Sequence, residues 1–222
     1  MATRILAWHF LAEDRRLRFG EREVVEVGKT YTAEGPLVMC ANGMHGSRRV
    51  LDALHFAPGP IVCRVALMGK RIDDADKSVA RSRHVLWMLD ATDLLHECAC
   101  LCAEDALRLI PKPDPRSIEA IRVKRAWVAG KATDVQLDAA RDAAWVAAGD
   151  AAGDAARAAA WDAARDAAWV AAWVAAWDAA WVAAGDAAWD AARTKQNRRL
   201  TGMVLAEKRK QSKSPAAASR TL

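Results

Sequence analysis

A chain of 222 residues that is 53% apolar and 27% charged is too rich in core-forming side chains to be wholly disordered, and long enough for one large domain or two small ones. The net charge of +5 hides a segregation: residues 138–193 carry nine Asp against four Arg, residues 194–222 carry eight Lys or Arg against Glu207, and +3 remains for residues 1–137. A polar start without an apolar run argues against a secretory leader and for a cytoplasmic protein, and five cysteines, three of them at Cys98, Cys100 and Cys102, suit reduced thiols better than a disulfide framework.

Residues 1–92 read as a mixed α/β domain. Arg4 to Leu11, Glu23 to Val27 and Leu37 to Cys40 have strand character, separated by Gly28, an AEGP turn at 33–36 and the Asn42-Gly43 turn. Ser47 stands where it can N-cap a short helix bearing Val50, Leu51, Leu54 and Phe56, which APGP at 57–60 stops. Ile61 to Met68 alternates as a buried strand that Gly69 ends, and an acidic loop follows at 73–77.

The segments AWHF, VGKTY, CANGMHGS, DALHFAPG, VCRVALMGK and DDADKSVARSRHVLW, in that order over about residues 4–92, resemble a family of uncharacterised bacterial and bacteriophage proteins that is described only as a domain of unknown function. The resemblance implies a phage or prophage setting and brings no activity; His45, Asp76 and Lys77 fall on its shared positions. The layout of His45 and Ser47, after a strand and before a helix, is also similar to the surroundings of the nicotinamide site in ADP-ribosyltransferases. That makes His9, His45, Ser47 and Asp76 candidate catalytic residues, although no Glu-x-Glu motif accompanies them. The plainer reading is that His45 closes a turn, Ser47 caps a helix and Asp76 with Lys77 orders a loop.

Residues 92–110 form an amphipathic helix that Thr92 can cap, with Leu94, Leu95, Cys98, Leu101, Cys102, Ala106 and Leu109 available to one stripe. His96, Cys98 and Cys102, with Cys40, are candidate metal ligands. The H-x-C-x-C-x-C spacing is not that of a zinc knuckle, however, and a free Cys packs as a small hydrophobe, so no metal and no other cofactor is expected. The prolines of PKPDPR at 111–116 interrupt the helix; Ser117 opens another through Val128, anchored by Ile118, Ile121 and Trp127, Gly130 stops it, and Thr133 caps the next. CAEDALRL, PDPR, IEAIRVKRAWVAGK and the Ala-rich run, over about residues 98–203, resemble the fifth-type-like helical domain of bacterial immunity proteins. The resemblance implies a helical bundle that binds something.

From Asp138 to Arg193 the sequence runs in fourteen tetrads whose two middle positions are always Ala, while the outer two hold Asp, Val or Ala and Trp, Gly or Arg. Ala favours helix strongly, but a four-residue repeat advances about 40° per tetrad beyond a full turn, so its seven Trp cannot share one face of a straight rod. Three arrangements are physically open. The helix breaks near Gly149, Gly153 or Gly185 into shorter pieces, which is the reading preferred here; or it winds right-handedly around copies of itself; or Ala167 to Gly185 spans a membrane, against the cost of burying Asp178. The tail from Glu207 is basic and lacks apolar spacing, which reads as disorder and offers a secondary route to nucleic-acid binding.

The expected architecture is therefore α+β: a mixed domain at 1–92, a helical domain at 93–205 containing the repeat, and a basic tail at 206–222. The expected role is that of a non-enzymatic interaction or structural protein, acting on a protein partner or on itself through the Trp/Ala helices. An ADP-ribosyltransferase-like enzyme built on the N-terminal domain is the alternative.

Overall fold

The computed structural model describes residues 4–18, 23–110, 112–150 and 171–213, with 148–150 and 171–189 described in backbone only. Antiparallel strands come first and helices follow, as the α+β reading expects. By its contacts the chain divides into two units. One runs to Ala91 and resumes at Asn197; the other is Thr92–Gln196.

The first unit contains β1 (Ile5–Leu11), β2 (Thr30–Thr32), β3 (Met44–Gly46), α1 (Val50–His55), β4 (Ile61–Asp73) and β5 (Ser78–Asp90). The sheet order is β1-β4-β5-β2, with β3 also on β5. Its spine is the β4–β5 hairpin, in register from Ile61 opposite Asp90 to Asp73 opposite Ser78 and closed by the Asp74 N–H to Lys77 carbonyl bond. Gly69 does not end β4. At φ +79° it takes a left-handed conformation that a glycine enters freely, so the strand bulges between Met68 and Arg71 and continues to Asp73.

One face of this sheet gathers Ala7, Leu11, Tyr31, Ile61, Cys63, Val65, Leu67, Ala80 and Val85, with Val25 and Leu17 from the segment after β1. Intervening residues such as Phe10, Val62 and Leu89 are buried too, which explains why β4 and β5 read as nearly continuous apolar runs. The chain just past β3 adds a closure. Trp8 N–H donates to the Ser47 carbonyl at 2.7 Å and Ser47 N–H to the Trp8 carbonyl at 2.9 Å, so the segment that pairs with β5 on one side is stitched to β1 on the other.

Three local expectations are corrected here. Glu23 to Val27 is an arm rather than a sheet strand: it pairs with the preceding segment through Leu17 N–H to Glu23 and Val25 N–H to Arg15, with Arg15 at φ +55° turning the chain. Leu37 to Cys40 folds into a tight loop, Val38 bridging Asn42 and Cys40 at φ +63°, and β3 begins only at Met44. Ser47 does not cap α1. Its backbone is committed to Trp8, and the N-cap is Arg49, which has no capping side-chain bond but pairs with Asp52 at 2.7 Å.

The second unit holds α2 (Thr92–Leu107), α3 (Pro115–Val128), α4 (Asp134–Asp150) and the part of α5 (Ala171–Lys213) that precedes Asn197. The start of α3 differs from expectation: Asp114, not Ser117, is the cap, its carboxylate accepting the Arg116 N–H at 2.8 Å, and Pro115 fills a position where no donor is needed. Gly130 at φ +68° follows the end of α3, and Thr133 forms a reciprocal capping box with Gln136, both as expected.

In α4 the alanines of the tetrads do the packing. Ala144 and Ala147 are buried and Ala144 meets Ala120 of α3, whereas Trp145 and Val146 are about half exposed. Small side chains on facing positions let two helix backbones approach closely, so the part of the repeat described in α4 makes its core contacts through its constant positions. The helix does not break at Gly185, because α5 passes through it; Gly153 and the rest of 151–170 lie outside the described residues, as do the Trp rings between 161 and 189 on which self-winding rests. Among the described residues no helix is long and apolar enough to cross a membrane. The tail is helical as far as Lys213: Leu200 and Val204, one turn apart and fully buried, anchor α5 beyond the repeat, and Glu207 to Lys213 are good helix formers that extend it. Residues 214–222 of the expected tail lie outside the described residues.

Candidate functional site

The candidate residues of the first unit lie on β1, on and just past β3, and in the β4–β5 turn. His9 lies on β1 opposite Cys63 of β4, on the core face of the sheet. His45 lies in the middle of β3 opposite Val79. Ser47, 2% exposed, is the stitch to Trp8. Asp76 sits in the β4–β5 turn, and it is the charge of Lys77 beside it that reaches His45. The Lys77 ammonium itself lies 4.3 Å from the Phe56 ring centre.

His45 is fully engaged by its own loop. The Cys40 N–H donates to Nε2 at 3.0 Å, so that nitrogen carries no proton, and Nδ1 then donates to the Gly43 carbonyl at 3.1 Å. This ring holds a loop in which Cys40 and Gly43 both have positive φ. Gly43 is required there: at φ +132° a Cβ would stand 2.2 Å from Val79 Cγ2. Burial lowers the pKa of His45, partly offset by the Gly43 bond and reinforced by the charges of Arg83 and Lys77. The pKa of His9 is lowered further, by burial first and then by Arg83 and His45, which places these three groups in one electrostatic neighbourhood.

Arg83, which the sequence reading did not single out, is the centre of that neighbourhood. It is 4% exposed, between Tyr31 on β2 and Leu67 on β4, and its Nη1 donates to the His45 carbonyl at 3.0 Å. Burial brings its pKa down to about 10, against small raising effects of Cys63 and Tyr31. Burial likewise pushes the Cys63 thiol up to about 12, so it is not a nucleophile at neutral pH. No signal in the run ARSRH distinguishes Arg83 from its polar, only partly buried neighbours; only the pairing of β5 buries it.

The metal candidates are placed differently. His96 is buried with its ring edge-on to Trp127 at 5.4 Å, and Cys98 and Cys102 are buried in α2. Cys100 belongs to a core cluster with Ala103, Leu107 and Ile121, and Cys40 is exposed in the first unit. Among the described residues no three His, Cys, Asp or Glu side chains gather as a metal would require. The second unit instead carries an ion-pair cluster: Arg125 donates to Glu97 through Nε at 2.9 Å and Nη2 at 2.8 Å, and to Glu104 through Nη1. Beside it a groove of about 660 Å³ is lined by Leu107, Ile110, Pro113, half-exposed Ile118 and Ile121.

No curated protein and no solved structure matches the chain. Residues 6–97, which comprise all of the sheet but Ile5, together with α1 and the start of α2, match a family described as Domain of unknown function (DUF7666).

Proposed function

We propose that this chain is a non-enzymatic interaction protein of phage or prophage type, acting in the cytoplasm of a bacterial cell, whose helical unit presents the surface that a protein partner binds. The observation that carries this reading is the state of His45. A general base needs a ring nitrogen free to take a proton from a reacting group, and both nitrogens of His45 are committed to backbone partners. Ser47 is buried in a backbone bridge, and none of the groups acting on His9 or His45 is a carboxylate. His45 ties its own loop, whereas Ser47 bridges to β1 through its backbone instead of capping α1.

Two features support binding by the helical unit. Exposed apolar side chains accompany its α2–α3 groove, Leu109 at 67% and Ile118 at 51%, and the sequence around the Pro-Asp-Pro-Arg turn resembles an immunity-protein domain. Immunity-like proteins act by occupying a partner, which fits a chain whose helices are tied by caps and ion pairs rather than arranged around a reactive group.

The test separates this from the ADP-ribosyltransferase reading. Incubated with nicotinamide adenine dinucleotide, the full chain is expected to release nicotinamide no faster than buffer does, with or without an acceptor protein. Release that exceeds buffer and disappears in His45→Ala would overturn the proposal.

A further inference from the structure

Around its two buried anchors, the end of α5 is strongly basic. Asn197 to Lys213 carries six Lys or Arg against Glu207 and has no aromatic residue. Asn197 ties this stretch to the first unit, its Oδ1 accepting the Leu51 N–H of α1 at 3.2 Å, and Leu200 and Val204 bury one face of the helix. The basic residues take the other face. At about 100° per residue, Arg198, Arg209 and Lys213 fall within about 60° of one another, opposite Leu200 and Val204, over a length of roughly 22 Å. All three are exposed, and Gly202 and Ala206, exposed between them, add no bulk. From Arg209 to Lys213 every residue is exposed, and five consecutive residues point in all directions around a helix, so this end stands clear of the rest of the described chain.

The charge is uncompensated. Exposed arginines elsewhere have a carboxylate at hand, as Arg108 has Asp105, Arg116 has Asp114 and Arg122 has Glu119. Among the described residues Arg198, Lys208, Arg209 and Lys213 form no ion pair, and it is Lys210 that reaches Glu207, at 3.2 Å. Cations in the last turn of a helix complement its C-terminal dipole, which accounts for Lys210 and Lys213. That effect ends within a turn and leaves Arg198, and its alignment with Arg209, unexplained.

We propose that this end of α5 binds double-stranded DNA by lying along the major groove, with Arg198, Lys208, Arg209 and Lys213 on phosphates. A groove about 12 Å wide admits an α-helix and has phosphates along both walls. Lys208 and Lys213 point to either side of Arg209, toward those walls. Contact is along the side of the helix, because its terminal carbonyls repel phosphate. Other polyanions fit less well. Single strands are held by stacking on aromatic side chains, which this stretch lacks, and the major groove of duplex RNA is too narrow to enter. A membrane surface takes up the apolar face of a helix, and here that face is already inside the fold.

The test is fluorescence anisotropy of a labelled DNA duplex of mixed sequence, titrated with the full chain. Four neutralised phosphates correspond to a slope of about −3.6 in log affinity against log salt, roughly a hundredfold loss between about 50 mM and about 200 mM. The triple variant Lys208→Gln, Arg209→Gln, Lys213→Gln keeps good helix formers in place, so its melting temperature is expected to be unchanged while its slope falls to about −1. A control, Lys70→Gln, Lys112→Gln, Lys131→Gln, removes the same net charge from exposed positions on other segments and is expected to bind as the natural chain does. The proposal is overturned by an absence of binding at about 50 mM salt, or by equal weakening in the two triple variants. It is overturned as well if duplex RNA, single-stranded DNA or phosphatidylserine vesicles are bound at least as tightly as duplex DNA.

Discussion

Two arginines, one in each unit, divide the labour of buried charge in opposite ways. Arg125 of α3 is about a third exposed and clasped by two carboxylates, which hold its pKa above the ordinary value; it ties α2 to α3. Arg83 of β5 is almost sealed, has a carbonyl for company and is held below the ordinary value. An ion pair whose members are all present satisfies itself and fixes two helices. A cation left without its counter-charge is instead a continuing cost to the fold that holds it.

The sharpest way to break this contrast is to move the loop that holds the His45 carbonyl. Gly43→Ala puts a methyl group into Val79 at a φ that only glycine adopts readily, and it is expected to cost the first unit about 3 kcal/mol, read as a fall in the urea midpoint. An unchanged midpoint would mean that the loop adjusts and that Arg83 does not depend on it. On the other side of the comparison, Arg125→Met leaves Glu97 and Glu104 facing each other without their shared cation. Because these groups are partly exposed, about 1 to 2 kcal/mol is expected, with part of the loss restored by salt. Loss of stability that salt does not relieve would show that packing, not charge, is what Arg125 supplies.

Acid should act on the first unit through its buried histidines. His9 and His45 are held below their ordinary value of 6.5, so folding keeps them neutral while the unfolded chain charges normally. Their contribution is complete above about pH 6.5 and is lost as the pH falls below it toward the folded values. The urea midpoint of the first unit is expected to decline on that side, and the His9→Gln, His45→Gln double variant to decline less; an equal decline would assign the effect to other groups. The smallest change expected is Thr133→Ala, about 1 kcal/mol from loss of the capping box, visible in amide exchange at the start of α4 and nowhere in the sheet.

How much of this was legible in the sequence depended on whether the signal was local. The caps at Thr133 and Gly130, the β1 strand and the helix at 92–110 follow from propensities and turn residues within a few positions. The strand β5 was not read, because SVARSRHVLW mixes five polar or basic residues among its apolar ones and only its neighbours on both sides make it central. Gly69 read as a stop because a glycine ends strands and bulges them alike. Ser47 carried the right residue type for a cap, but a capping side chain and a bridging backbone are indistinguishable without the partner strand. His45 was read correctly as closing a turn. The Trp of the tetrads drew attention away from the alanines, although at Ala144 it is the small side chain that permits contact. Arg83 was invisible for the deepest reason: burial of a charge is decided by register, and register is a property of pairs of strands.

The stitch between Trp8 and Ser47 also bears on how the protein behaves in a crowd. An edge strand offers a row of unpaired amides and carbonyls to which another chain can add, and β1 is such an edge on the side away from β4. Ser47 occupies that row at its midpoint and leaves three residues of β1 on each side, Ile5 to Ala7 and His9 to Leu11. Neither stretch is long enough to template a stable foreign strand, since even an isolated hairpin is marginal in water. A single reciprocal pair of backbone bonds thus serves as a guard against aggregation, made from groups that carry no sequence signature at all.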